Sequence, residues 1–323
     1  MRIQIYISDD FSETYMPFLL FREACRSVLS QHEGVSGNIE YITHISHICN
    51  TPDTIVLLNM YDVTLYDGKE FVLQTIFQST AHFLVVNTEH WETRGAKSVI
   101  EKLQQQDVRN IMLVEYNIIN YENIQKSYNR VRMLFLPLLY DPSIESYYSN
   151  NIEGRRIAWG DKDIDVLFYG SINERRQHII DELKLRWNVC VIDSHHGATN
   201  KELCQYIERS KVVINVLYYD FNIIFDYYRN TLLLSNNVVL VSEQPTHMNV
   251  QHEYWLENMK DNSLFTEYSS MVSMIDHTLS KSESEIARIV TQQYEWFSRV
   301  TMSDILVPFF TYFQIQQEFC DTT

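Results

Sequence analysis

The stretch DIDVLFYGSINERRQHIIDELKLRWNVCVID, from Asp163 to Asp193, decides how this chain folds. Ile164 to Gly170 is an apolar run of strand length that halts at a glycine. In the segment after it, Ile179, Ile180, Leu183 and Trp187 share one helical face, with Ser171 or Asn173 in place to cap the start. NVCVID (Asn188 to Asp193) is then a second strand, so the reading is strand, short turn, helix, strand. The unit repeats downstream. A helix is expected from Asn200 to Arg209, a strand at KVVINVLYY (Lys211 to Tyr219), a helix near Ile223 to Ser235 and a closing strand at NVVLVSE (Asn237 to Glu243). Near-continuous apolar strands alternating with helices make a parallel sheet covered on both faces. Ligands of such sheets bind beyond the carboxyl ends of the strands.

The residues just after each strand are therefore the candidates. Gly170 and Ser171 allow close backbone approach, and the helix that Asn173 would cap turns its amides and positive dipole end toward a phosphate. Arg175 and Arg176 fall in the first turn of that helix, where cations oppose the dipole unless an anion binds. The competing reading is a capped helix with solvated arginines. After the third strand, Asp226 and Arg229 lie on one helix face, and a carboxylate there suits the two hydroxyls of a ribose. The competing reading is a surface ion pair worth under about 1 kcal/mol.

In order and spacing, GSINERR, SKVVINV, FDYYRNTLLLSNNVVLVSE and LFTEYSSMVSMI resemble the donor-binding domain of GT-B-fold glycosyltransferases, and among these the bacterial and viral CgeB-like group. The resemblance implies two Rossmann-like domains, each a parallel sheet flanked by helices, with C-terminal helices crossing back to the first domain. It also implies that Arg175 or Arg176 contacts the donor diphosphate and Asp226 the ribose. Many retaining members carry a glutamate eight positions before the second acidic residue. Here that position is Tyr218, a further donor-side candidate, and inversion stays open.

The amino-terminal half repeats the rhythm. Strands are expected at Ile3 to Ser8, Asn38 to Ile42, Asp53 to Asn59, His82 to Asn87, Asn110 to Glu115 and Arg132 to Pro137. Helices fill Thr14 to Gln31, Glu70 to Ser79, Ala96 to Gln106 and Tyr121 to Tyr128. The loop after the first strand has no glycine, so it is not a dinucleotide-binding turn, and Asp9 and Asp10 stand there as candidate bases, with Glu13 beside them. NTEHWE, after the strand ending at Asn87, offers Glu89 as the preferred base and His90 as the alternative. The polar stretch from Asp141 to Asp163 loses the rhythm and reads as the linker. The expected domains are 1–145 on the acceptor side, 146–300 for the donor, and 301–323 as a helix packing back on the first, with the substrates in a cleft between the two domains.

A formal net charge of -16 argues against sequence-independent binding to nucleic acid or to an anionic membrane. Five scattered cysteines suit a reducing compartment and suggest neither a disulfide framework nor a zinc site. No bound metal is expected: the aspartates at 161, 163 and 165 precede a strand instead of ending one, and the pairs His44/His47 and His195/His196 lack helical ligand spacing. The chain shows no secretion signal and no apolar run long enough to span a bilayer, so the expected location is cytoplasmic. The expected activity is metal-independent transfer of a sugar from a nucleotide-diphosphate sugar, without a cofactor, to a hydroxyl of a glycan, glycoprotein or glycolipid. An epimerase or phosphorylase on the same fold, or a non-catalytic nucleotide-sugar-binding protein, are the alternatives. Transfer to DNA is disfavoured by the acidity.

Overall fold

A computed structural model describes residues 1–7, 16–31, 39–63, 70–88, 90–106, 108–193, 198–220, 225–245 and 264–321. Their contacts divide into two compact units, Met1–Leu138 with Thr301–Thr323, and Leu139–Val300.

The first unit holds β1 (Arg2–Tyr6), α1 (Met16–Ser30), β2 (Ile39–Ile42), β3 (Thr54–Asn59), α2 (Glu70–Gln78), β4 (His82–Asn87), α3 (Arg94–Gln106), β5 (Ile111–Glu115), α4 (Ile118–Ser127) and β6 (Met133–Phe135). The strands form one parallel sheet in the order β2-β1-β3-β4-β5-β6, with Ile55 to Asn59 opposite His82 to Val86 across β3 and β4. All six residues of β3 are buried, the continuous apolar signature of a strand covered on both faces. The last helix of the chain, Met302–Asp321, packs on α1 and belongs to this unit.

The carboxyl ends of three central strands break the apolar pattern. Asn59, Asn87 and Glu115 end β3, β4 and β5 and are 3%, 0% and 0% exposed. Burial without a cation pushes the Glu115 carboxyl up to about 8, against the opposing pull of amide donors from Asn87, Asn120, Asn117 and Tyr116.

The second unit holds α5 (Pro142–Asn151), β7 (Ile164–Tyr169), α6 (Glu174–Lys184), β8 (Val189–Ile192), α7 (Asn200–Arg209), β9 (Ser210–Asn215), α8 (Tyr227–Leu234), β10 (Leu240–Glu243), β11 (Leu264–Thr266), α9 (Met271–Leu279) and α10 (Glu283–Phe297); the final helix is then α11. Its sheet is parallel in the order β11-β10-β9-β7-β8. Val166, Phe168, Val212, Ile214, Val239 and Val241 meet Ile179, Ile180, Leu183, Met271 and Ile275 in one core cluster.

Two expectations change. The stretch expected as a linker contains α5, because Asp141-Pro142-Ser143, read as turn formers, is equally a helix start: Asp141 caps the helix by accepting the amide of Ser143 at 2.8 Å, and Pro142 takes the first turn, where its missing N–H costs nothing. The third donor-side strand ends at Asn215, short of Tyr219, and α8 begins at Tyr227, four residues later than the sequence pattern suggests. Residues 246–263, where a loop and irregular helix were expected, lie outside the described residues, and the short strand after them begins at Leu264.

The Glu115 carboxyl sets a pH dependence. Raised to about 8 from an ordinary 4.5, it contributes stability that is complete below pH 4.5 and lost as pH rises through 8. Thermal unfolding of the wild type should decline across that interval, and Glu115→Gln should flatten the decline.

Candidate functional site

The turn between β7 and α6 depends on its glycine. Gly170 adopts φ +129°, a conformation that side chains rarely take. A Cβ there would lie 2.6 Å from Arg229 Nη2 and 3.7 Å from Arg176 Nη1. Two guanidinium groups thus converge on the space that a side chain would fill.

Arg176 is oriented by neutral acceptors, and Arg229 by a neutral acceptor together with the nearby Asp226 carboxylate. Arg176 donates from Nε to the carbonyl of Val216 at 2.8 Å and from Nη1 to that of Ser171 at 2.7 Å, while its guanidinium lies 5.1 Å from the ring centre of Tyr218. Arg229 donates from Nη1 to Asn215 Oδ1 at 2.9 Å and lies 4.9 Å from the ring centre of Tyr169. Asn215 is itself fixed by donating to Ser242 Oγ at 3.0 Å. Burial, and after it the neighbouring Arg229, push the pKa of Arg176 down to about 9, with Asp226 opposing. Burying Arg176 beside a second guanidinium raises its energy, the Asp226 carboxylate offsets part of that, and a bound anion relieves more.

Asp226 is the N-cap of α8: Oδ1 accepts the amide of Arg229 at 3.2 Å, and Oδ2 lies 3.7 Å from Arg229 Nε. Capping occupies one of the acceptor positions of the carboxylate and leaves the others for a ligand. Asn173 caps α6 by accepting the amide of Arg176 at 3.0 Å, and donates to the carbonyl of Tyr218 at 2.7 Å. Tyr218 is 40% exposed and meets Tyr219 edge to face, so an aromatic surface borders the seat. Gly170, Ser171, Asn173, Arg176, Tyr218, Asp226 and Arg229 are brought together here.

Arg175 has a different place from the one its sequence position suggests. Its guanidinium pairs through both terminal nitrogens with the carboxylate of Glu243, whose side chain is 3% exposed, and donates to the carbonyl of Leu217 at 2.9 Å. Glu243 also accepts the amide of Leu217 at 3.0 Å, and Tyr268 stacks on Arg175 with the guanidinium 3.9 Å from its ring centre. Arg175 is thus a brace joining α6, the end of β10 and the chain after β9, with its charge already neutralised.

Sequence reading passed over Asn215, Tyr169 and Tyr268. Asn215 carried a usable signal, a polar residue ending an otherwise apolar strand. Asp9, Asp10, Glu89, His195 and His196 lie outside the described residues. His90, the alternative base, accepts the amide of Glu92 at Nδ1 at 3.4 Å, and burial holds its imidazole below the usual histidine range. Among the described residues no group of three or more His, Cys, Asp or Glu could hold a metal ion, and no helix is long and apolar enough to cross a membrane.

No family model and no curated protein matches the chain. Solved structures do. T4 phage beta-glucosyltransferase in complex with UDP and Mn2+ aligns with a TM-score of 0.59 at 8% identity, over 93% of this chain and 95% of that chain. The same enzyme, described as DNA-modifying and studied in the presence and absence of uridine diphosphoglucose, aligns with a TM-score of 0.53 at 9% identity, over 93% and 94%. The N-terminal domain of Candida albicans trehalose-6-phosphate phosphatase gives a TM-score of 0.56 at 8% identity, over 96% and 95%. The fold is GT-B. At these identities the likeness concerns the fold alone. It does not bear on the resemblance to the CgeB-like group, and the presence of Mn2+ in one complex gives no support to metal independence.

Two substitutions separate brace from seat. Arg175→Ala should destabilise the protein by about 3–5 kcal/mol by stranding the buried Glu243 charge, and Arg175→Met with Glu243→Leu should recover most of the loss in denaturant unfolding. Gly170→Ala should cost about 1–3 kcal/mol in backbone strain and displace the Arg229 guanidinium, weakening binding of UDP in calorimetry.

Proposed function

We propose that this protein is a glycosyltransferase that moves a sugar from a nucleotide-diphosphate sugar to a hydroxyl acceptor. The observation that carries the reading is the convergence of Arg176 and Arg229 on the side-chain-free space at Gly170, beyond the carboxyl end of a strand in a GT-B fold. In the reaction, the acceptor oxygen bonds to the anomeric carbon of the sugar as the bond from that carbon to the diphosphate breaks. The electron pair leaves on the diphosphate, and the acceptor proton passes to a base. Guanidinium groups fixed beforehand act where that negative charge grows, the most effective place for electrostatic stabilisation. Asp226 keeps one carboxylate oxygen outside the cap for a ribose hydroxyl, and Tyr218 borders the nucleotide. Glu89 is the proposed proton acceptor.

UDP-glucose is the first donor to test, because structural neighbours were solved with UDP or uridine diphosphoglucose. The charge on the diphosphate is met by guanidiniums in this reading, so turnover should persist in a chelator. Its increase by added Mn2+ alone would correct that point.

UDP-glucose should raise the melting temperature, and incubation with candidate glycan acceptors or duplex DNA should release UDP with a glycosylated product. Arg229→Ala should weaken donor binding roughly ten- to a hundred-fold, the worth of one charged hydrogen bond. An epimerase would instead return a new nucleotide sugar, and a binding protein would shift the melting temperature without turnover. No response to a panel of nucleotide sugars would overturn the reading.

A further inference from the structure

The amino-terminal edge of the second unit's sheet carries a cavity that the transferase reading does not use. Its volume is about 250 Å³, and it lies where Lys162 precedes β7, Ser210 and Lys211 open β9, and Val238 and Val239 lead into β10. The seat at Gly170 is beyond the opposite end of β7, so a strand of six residues, about 20 Å, separates the two.

Charge around this cavity is not balanced. Arg156 donates from Nη1 to Glu208 Oε2 at 3.2 Å and to the carbonyl of Asn236 at 3.3 Å, and Lys211 pairs with Asp165 at 2.8 Å. The Glu208 carboxylate also accepts the hydroxyl of Tyr148 at 3.0 Å and the amide of Ile157 at 2.8 Å. Lys162 differs: its ammonium donates to the carbonyl of Glu208 and forms no ion pair among the described residues. Burial holds it below the usual lysine range, with the Glu208 carboxylate opposing and Arg156 adding to the effect. Three cations thus face two carboxylates, and the ammonium keeps donors to spare.

An acceptor is left over as well. Asn236 is 2% exposed, donates from Nδ2 to the carbonyl of Leu232 at 2.8 Å, and has its Oδ1 buried with no hydrogen-bond partner among the described residues. A buried oxygen without a donor is unfavourable, and a ligand that supplies the donor removes the penalty. Trp159, Ile286 and Val290 complete the lining with apolar surface that belongs to the core cluster or packs against it. The volume is just under the roughly 300 Å³ at which small-molecule pockets begin, enough for a compact organic molecule.

We propose that this cavity is a second binding site, for a small organic anion that carries a hydroxyl group. The carboxylate or phosphate head meets Lys162 and Arg156, the hydroxyl donates to Asn236 Oδ1, and the body rests on Trp159, Ile286 and Val290. The inference goes beyond the transferase reading and does not depend on it, because none of these residues belongs to the Gly170 seat.

Calorimetric titration of the full chain with two probes, glucose 6-phosphate and 4-hydroxybenzoate, tests the site, with inorganic phosphate, glucose and phenol as the heads and bodies alone. At least one probe should bind saturably and more tightly than any fragment, and the one that does identifies the head as phosphate or carboxylate. Lys162→Met keeps the stem and removes the charge, so it should weaken that binding about ten-fold or more. Saturating UDP should leave the affinity unchanged. In hydrogen–deuterium exchange on the wild type, the bound probe should slow the amides of residues 157–162 and 236–239 and leave those of α6 as they were. Binding of neither probe, undiminished affinity in Lys162→Met, displacement by UDP, or protection confined to α6 would each overturn the inference. Exchange on the wild type decides the matter if Lys162→Met does not fold. Failure of UDP itself to bind would count against the transferase reading alone.

Discussion

The second unit of this molecule depends on the absence of a side chain at position 170. With φ at +129°, Gly170 turns the chain from β7 toward α6, and the space in front of it receives one nitrogen from each of two arginines. Each arginine reaches that space from a different element, Arg176 from α6, held by neutral acceptors, and Arg229 from α8, held by Asn215 and the nearby Asp226 carboxylate. The chain is strongly acidic as a whole, with a net charge of -16, yet here two guanidiniums are gathered, Arg176 buried and Arg229 partly so. Such an arrangement is expensive in an empty protein and favourable around a diphosphate, the signature of a site whose energy is completed by its ligand.

Arg175 and Glu243 show why adjacent arginines need not share a role. On a helix, consecutive residues point about 100° apart, so Arg175 and Arg176 face different neighbours. Arg176 turns to the strand end and to Tyr218. Arg175 turns to Glu243 at the end of β10, where the ion pair, the carbonyl of Leu217 and the ring of Tyr268 join three segments around the seat. The pair is buried and fully hydrogen-bonded, so its removal on one side only leaves a stranded charge. Geometry at Gly170 is thereby coupled to the closing strands of the sheet.

Much of the fold was legible because parallel strands buried on both faces write themselves as apolar runs, and β4 and α7 fall where the pattern puts them. Strand-end glycine, Asn173 as a cap and Asp226 with Arg229 on one helix were legible for the same reason: each is dictated by local spacing. The roles of Arg175 and Glu243 were not, because a partner 68 residues away has no local trace. The start of α8 was misjudged because Phe225 and its aromatic neighbours continue the apolar run before the Asp226 cap. Glu115, Asn87 and Asn59 were written in the sequence as polar letters at the ends of apolar strands, a pattern that Asn215 and Glu243 repeat at strand ends of the second unit.

A crystal structure of the protein with UDP tests the central claim most directly. The diphosphate is predicted at the β7–α6 turn, its oxygens within hydrogen-bonding distance of Arg229 and Arg176 and over Gly170, with the Arg175–Glu243 pair intact. A diphosphate bound elsewhere on the molecule, or one that breaks the Arg175–Glu243 pair to recruit Arg175 while Arg176 and Arg229 stay uninvolved, would contradict it.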